Sequence, residues 1–429
     1  MNIITKENAH IGEKYYYVKH SSGLDIYVIP KKLSSAYALF CTRYGAVDNC
    51  FRLEGEAEFT RVPDGIAHYL EHKMFENEDG VDTFSRFAKY GASANAFTSM
   101  DVTAYLFKCT ENFSENLSIL LDYVTHPYFT PENVQKEQGI IAQEIRGRDD
   151  WPEMVQYTNL LSALYERSQT KLNVTGTVES IAQIDAETLY KCYEVFYNLS
   201  NMFLCISGDV SLDEVLAVAD RMLPAEEEKK IERCYEKEGR EVVKKYVEEK
   251  FEVAKPMFLL GLKDCFESGD PREKQKRTLT MQLAAETLFG YSSEFAVDVY
   301  ESGLIDELEA EYHSGITGAQ FLFGGETDDV ESAIAKFKKY MEQTKQTGLD
   351  AEAFERARRM KYASFVRSFE STNIAETFSM SLIKGIDWFD TGDIIAEITL
   401  EEANALVREL FDERYYAVSV INPIEKEEE

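Results

Sequence analysis

Histidine is scarce in this chain of 429 residues, with only six in all. Any chemistry built on imidazole must use those few. Cysteine is also thin and poorly spaced. The seven, at positions 41, 50, 109, 192, 205, 234 and 265, include no C-x-x-C pair. An odd, scattered set excludes a disulfide framework and fits reduced thiols in a cytoplasm. No run of 18 apolar residues occurs, so a membrane-spanning helix is not expected. The stretch Met1–Glu7 has no apolar signal core, which again points to a cytoplasmic protein. Positive charge is short as well: 46 Lys and Arg face 77 Asp and Glu, a net charge of −31. Nucleic acid needs a basic surface to displace counterions, so it is excluded as a partner. An acidic surface favours solubility and attracts basic peptides at low salt.

Two of the six histidines fall in one pentapeptide, His68-Tyr69-Leu70-Glu71-His72. On a helix, residues four apart sit one above the other, and Glu71 lies on the same side. The pattern H-x-x-E-H inverts the zinc-protease motif HExxH. Zn²⁺ in a hydrolase takes about three protein ligands and leaves a position for water, whose pKa the metal lowers to about 7. A carboxylate beside the ligands can take that proton and later give it to the leaving amine. Glu71 is placed for this general-base role. Tyr69 and Leu70 read as packing residues.

A third ligand is needed. Thr130-Pro131-Glu132 reads as a helix start: a capping hydroxyl, a proline suited to the first helical position, and a carboxylate near the positive end of the dipole. Along that helix Glu137 and Glu144 are two turns apart and share a face with Ile140 and Ile141. Carboxylates on an apolar stripe are costly unless paired or bound to a cation. Beside the histidine pair, Glu144 becomes the expected third ligand. Glu137 becomes a supporting acidic residue that tunes the site.

Together these features resemble the pitrilysin/insulinase-type inverzincin zinc peptidases, in their short form of about 430 residues. The resemblance rests on H-x-x-E-H followed by a helix with two glutamates seven apart. It extends to Gly91-Ala92-Ser93-Ala94-Asn95-Ala96-Phe97-Thr98-Ser99 with Asp101-Val102-Thr103-Ala104-Tyr105, which is similar to the family's G-x-x-x-N-A-x-T-S…T-x-Y signature. Thr175–Ile181 and Ser207–Val210 resemble further family segments of structural type. The resemblance implies zinc on His68, His72 and Glu144, catalysis by Glu71 with Glu137 in support, and a strand edge at Asn95, Ala96 and Phe97 to which substrate adds as an extra strand. It also implies dimers, of identical chains or of one active and one inactive paralogue.

The length suggests two or more domains. A charged stretch from Pro224 to Lys250 reads as a linker. It gives an N-terminal domain over 1–224 with the zinc site, a linker over 225–249 and a C-terminal domain over 250–429. Both halves open with strands (around Ile26, Val28 and Tyr37–Cys41; around Phe251, Val253 and Met257–Gly261). Both close on one, at Met202–Ser207 and Tyr416–Ile421. This predicts two homologous α+β domains, each a mainly antiparallel sheet with helices on one face, forming half of a clamshell. The second half holds one histidine, His313, so it cannot repeat the zinc site. It also departs from the family pattern S-S-R-L-x-x-x-L-R-x-x-G-L-x-Y, which helps grip substrate. Tyr300 stands at the last arginine and Asp306 at the tyrosine. Tyr300 remains a candidate substrate contact; otherwise Ser293–Gly303 reads as a packed helix ending at glycine.

The expected function is a zinc-dependent endopeptidase that cleaves peptides or unfolded segments with zinc-activated water. The alternative is a weakly active or non-catalytic subunit of a heterodimeric peptide-processing or maturation complex.

Overall fold

The computed structural model of the chain describes residues 2–424. Its strands are β1 (Ile3–Asn8), β2 (Glu13–Lys19), β3 (Asp25–Pro30), β4 (Ala36–Thr42), β5 (Cys50–Leu53), β6 (Thr60–Arg61), β7 (Ser93–Thr98), β8 (Thr103–Cys109), β9 (Met202–Gly208), β10 (Ile231–Arg233), β11 (Tyr246–Phe251), β12 (Met257–Asp264), β13 (Asp306–Ser314), β14 (Ala319–Glu326) and β15 (Tyr416–Pro423). The first four helices are α1 (Ile66–Lys73), α2 (Thr83–Ala88), α3 (Phe113–Thr125) and α4 (Pro131–Asp149).

The chain packs as two compact units. The first takes the residues up to Ile145, Leu172–Tyr235 and Val366–Asp390. The second takes Arg146–Lys171, Glu236–Phe365 and the residues from Thr391. The sequence-based boundaries at 224 and 250 run in chain order, whereas these units exchange segments. The charged stretch between those boundaries is also not free chain. β10 pairs with β5, and β11 pairs in parallel with β15. Main-chain pairing takes up its strand segments, and Arg233, Tyr235 and Glu238 bond to Asp48 and Lys263 elsewhere in the chain.

The main sheet of the first unit runs β1-β2-β3-β9-β4-β8-β7. Its only parallel pair is β3 with β9; every other neighbour is antiparallel. The sheet of the second unit runs β11-β15-β12-β14-β13. It has one parallel pair, β11 with β15, and is otherwise antiparallel. Taken in chain order, the five strands β3, β4, β7, β8, β9 and the five strands β11–β15 occupy the same places with the same polarity. Each half therefore repeats one α+β topology. β1 and β2 are additions to the first.

Alternation along the strands explains the layering. Ile26, Val28, Ala38, Phe40, Leu204 and Ile206 face the large core under the helices of the first unit. The opposite face of the same strands is also buried. Cys41, Cys205 and Phe203 have no exposed surface. The helix Ile374–Ile383, from late in the chain, packs there on β4 and β9, and Tyr37 donates to Glu376 at 2.8 Å. The second unit does the reverse. Its sheet receives Pro152–Leu164, from the first half of the sequence, on β11, β12 and β15, with Leu160, Leu161 and Ala417 in one apolar cluster. Helices thus lie mainly on one face of each sheet, and one helix from the other half of the sequence covers the second face.

Candidate metal centre

α1 lies in the connection between β4 and β7, the second and third strands of the repeated topology. It begins at Gly65, whose φ is 88°. A Cβ there would come within 2.5 Å of the Thr175 carbonyl oxygen, so only glycine allows the chain to turn into the helix at this spot. Across that contact, Ser180 donates to the Asp64 carbonyl at 2.8 Å. Thr177 and Ser180 form a capping box for Val178–Ile181. The Thr175–Ile181 segment is therefore a brace for the start of α1.

Tyr69 and Leu70 are fully buried, as packing residues should be. Tyr69 also does more, because its hydroxyl donates to the Val134 carbonyl on α4. Lys73, with no exposed surface, donates to the Asn133 carbonyl at 3.2 Å and pairs with Glu76 at 2.9 Å. These contacts set the register of α1 against α4. The start of α4 is capped as its sequence implied: Thr130 and Asn133 exchange side-chain to main-chain hydrogen bonds at 2.9 and 3.2 Å.

With that register fixed, His68, His72 and Glu144 converge, each offering one ligand atom within 4.8 Å of the others. His68 Nε2 is 3.5 Å from Glu144 Oε1, and His72 Nε2 is 3.6 Å from Glu144 Oε2. Four ligands at about 2.0–2.1 Å around a tetrahedral zinc ion stand roughly 3.3 Å apart. Two imidazoles and one carboxylate at these spacings therefore fit a zinc ion with an open fourth position.

Glu137 is 8 % exposed and accepts from His72 Nδ1 at 2.9 Å. That hydrogen bond holds its carboxyl below the usual range, aided by the charges of His72 and Lys73. An ionised carboxylate can only accept, so Nδ1 keeps its proton and Nε2 presents its lone pair to the centre. Burial alone would lower the pKa of His72. The hydrogen bond to Glu137 and the charges of Glu71, Glu137 and Glu144 outweigh it and raise it. The three acids stabilise a positive charge at this point.

Glu71 is buried beside the triad but is held from elsewhere. Thr98, the last residue of β7, donates its hydroxyl to Glu71 Oε2 at 2.6 Å. Burial pushes the Glu71 carboxyl up, against the opposing effects of Thr98 and His72. Thr98 is in turn 3.3 Å from the Thr103 hydroxyl, which donates to the Tyr44 carbonyl at 3.0 Å. The next residues, Gly45–Asp48, are pressed onto the turn after β7. Ala46 and Val47 N–H donate to the Ser99 and Met100 carbonyls at 3.0 and 2.9 Å. The buried Asp48 closes this loop by accepting from Gly45 N–H at 2.9 Å, Arg233 at 2.9 Å and Tyr235 at 2.7 Å.

Asn95, Ala96 and Phe97 lie on β7, the outermost strand of its sheet. Among the described residues no strand pairs with its outer edge. Ala94, Ala96 and Thr98 alternate to the face that meets α1; Asn95 and Phe97 take the other. Tyr300 belongs to the second unit, on the helix Glu294–Glu301, and is 82 % exposed. That helix ends before Gly303, as the sequence implied. Asp306 pairs with Lys255 at 2.8 Å.

Sequence reasoning brought together His68, Glu71, His72, Glu137 and Glu144. It missed the Thr98 contact with Glu71 and the Tyr69 and Lys73 contacts between helices. Thr98 left one signal, its position on the β7 face shared with Ala94 and Ala96. The buried lysine left none.

The description "Insulinase (Peptidase family M16)" matches residues 58–178, and "Peptidase M16 inactive domain" matches residues 183–361. The uncharacterized zinc protease YmfH of Bacillus subtilis is 39% identical over 415 residues, covering 94% of this chain and 95% of that protein. The crystal structure of an M16-like peptidase from Alicyclobacillus acidocaldarius superposes with a TM-score of 0.92 at 32% identity, over 98% of this chain and 100% of that one. The beta subunit of the mitochondrial-processing peptidase of Caenorhabditis elegans is 26% identical over 165 residues, 37% of this chain and 35% of that protein.

Proposed function

The chain belongs to the insulinase family of peptidases, family M16, and from that premise we propose that it is a zinc metalloendopeptidase acting on peptides or unfolded polypeptide segments. The observation that carries this reading is the convergence of His68, His72 and Glu144 at zinc-ligand spacing, with Glu71 held beside them by Thr98. Zinc bound there would supply a Lewis acid that acidifies water and polarises the scissile carbonyl. His68, His72 and Glu144 hold the ion, and Glu137 keeps His72 in the tautomer that can bind it. Glu71 takes the proton of the attacking water and delivers it to the nitrogen of the leaving amine. Its burial keeps the carboxylate basic enough for both transfers. Thr98 occupies Oε2 of Glu71, which directs the other oxygen to the proton. The substrate lies along β7 at Asn95–Phe97, where main-chain groups at a sheet edge accept an extended peptide.

Digestion of a mixed peptide library by the zinc-loaded chain, followed by mass spectrometry, tests the reading. Glu71→Gln should retain zinc and lose about 10²–10⁴-fold in rate. His68→Ala and Glu144→Gln should lose zinc as well. Cleavage by Glu71→Gln at the wild-type rate would refute the mechanism.

A second reading draws on the other half of the chain. The positions that would complete a substrate grip hold Tyr300 and an Asp306 already paired with Lys255, and one relative is named as a peptidase subunit. In this reading the chain works beside a paralogous subunit that supplies the grip. Cleavage that appears only when the paralogue is added would favour it.

A further inference from the structure

We propose that Cys50 and Cys234 form a redox-modification site, at which a small-molecule disulfide of the glutathione-disulfide class installs a reversible cross-strand bridge. The inference does not depend on peptidase activity. β10 runs antiparallel to β5 with Ile231 opposite Leu53, Glu232 opposite Arg52 and Arg233 opposite Phe51. One further step sets Cys234 opposite Cys50, and Cys234 N–H donates to the Cys50 carbonyl at 2.9 Å. Directly opposed residues project from the same face of a ladder. In a hydrogen-bonded pair their Cα atoms lie about 5.5 Å apart, inside the roughly 4.4–6.8 Å that a disulfide spans. The other cysteines in ladders have no such neighbour. Cys41 stands opposite Ala104 and Phe203, Cys109 opposite Ala36, and Cys205 opposite Tyr27 and Leu39.

The surroundings hold the pair in place. Arg233 and Tyr235 flank Cys234, and both bond to Asp48, two residues before Cys50. Access is unequal: Cys50 is 1 % exposed, whereas Cys234 is partly exposed. This divides the roles. The Cys234 thiolate attacks one sulfur of the small disulfide, whose S–S bond breaks and releases the first thiolate. The Cys50 thiolate then attacks the Cys234 sulfur of the mixed disulfide and expels the second. The two protons lost by the cysteines go to the two thiolates released. The protein is oxidised by two electrons and one small disulfide is reduced to two thiols. A bridge across a hydrogen-bonded ladder pair is strained, and strain makes it easier to reduce. It would link residues on either side of the stretch that carries His68, His72 and Glu144.

The zinc-loaded full chain is incubated with oxidised glutathione, remaining thiols are alkylated after denaturation, and peptides are mapped by mass spectrometry. We expect a linked Cys50–Cys234 peptide that dithiothreitol removes, and a Tm about 2–4 °C higher in the oxidised protein. Cys50→Ser should accumulate glutathione on Cys234; Cys234→Ser should leave Cys50 unmodified. A wild-type map with stable glutathione on Cys234 and no bridge, or with Cys50 linked to another cysteine, would overturn the proposal. The map of the wild-type chain decides the matter even where a serine variant folds poorly.

Discussion

Thr98 is the residue at which metal binding and turnover should come apart. Its hydroxyl holds one oxygen of Glu71, whereas the candidate ligand atoms come from His68, His72 and Glu144. Thr98→Val keeps the shape and removes the donor. We expect kcat to fall about 10- to 100-fold, by loss of orientation at the base, with KM and zinc affinity unchanged. Thr98→Ser should restore most of the loss. Zinc affinity is read by competition with a chromophoric chelator, and an equal loss in the serine variant would assign Thr98 to packing. Glu137 behaves differently, because it acts on a ligand. Glu137→Gln should weaken zinc binding about 10- to 100-fold, the range for partners that orient a metal-bound histidine.

At the scale of elements, the start of α1 is the fragile point. Gly65→Ala places a methyl 2.5 Å from a carbonyl oxygen at a φ of 88°. It should cost about 2 kcal/mol or more, with loss of zinc binding as α1 shifts. Gly80 is the control: its φ is 70°, and no atom lies within 4 Å of an added Cβ. Gly80→Ala should cost only about 1 kcal/mol. In the second unit, Glu238 fastens the segment after β10 by accepting from the N–H groups of Glu166, Arg167 and Ser168 and from Lys263. Burial opposes its ionisation, but these donors prevail and lower its pKa from 4.5 to about 2. A carboxyl lowered on folding stabilises above its unfolded pKa, and the gain fades as pH falls from about 4.5 towards 2. Denaturant melts should show Glu238→Gln less stable than wild type at pH 6, with the gap closing by pH 2 to 3. A constant gap would mean that charge is not the cause.

At the scale of the whole molecule, the two halves repeat a topology but divide the labour. The first carries the candidate centre. The second has one histidine, His313, which bonds Glu311 on its own strand. Among the described residues no helix is long and apolar enough to cross a membrane. As a family member with an altered grip pattern, the chain is expected to associate. Light scattering should give a mass of two chains, alone or with a paralogue; a fully active monomer would contradict this. The exchange of one helix between the halves also bears on folding. Each sheet stays open on one face until a helix from the other half arrives, so neither half cut at residue 224 or 250 should fold alone. Circular dichroism and thermal melts of the two pieces would check this.

Local pattern carried much of this protein. Two histidines and one glutamate at helical spacings named the candidate ligands, and a second glutamate their support, because helix geometry turns spacing into a shared face. Short, nearly continuous apolar runs located the strands at Tyr37–Cys41, Met202–Ser207 and Tyr416–Ile421, because strands covered on both faces bury almost every side chain. Capping residues marked α4 from Thr130 and the helix that ends before Gly303. The sequence did not reveal contacts between residues far apart in it. Thr98 reaches Glu71 only because β7 lies against α1. Tyr69 and Lys73 find carbonyl partners only once α4 is docked. Cys50 meets Cys234 only through a ladder closed across the whole first half. The exchanged helices were hidden for the same reason: amphipathic pattern states that a face must be covered, and only the folded chain decides which segment covers it. The histidines that are so scarce here, with Glu71 between them, thus set the candidate chemistry by spacing, while tertiary packing set the tether of Glu71 and the boundaries of the units around it.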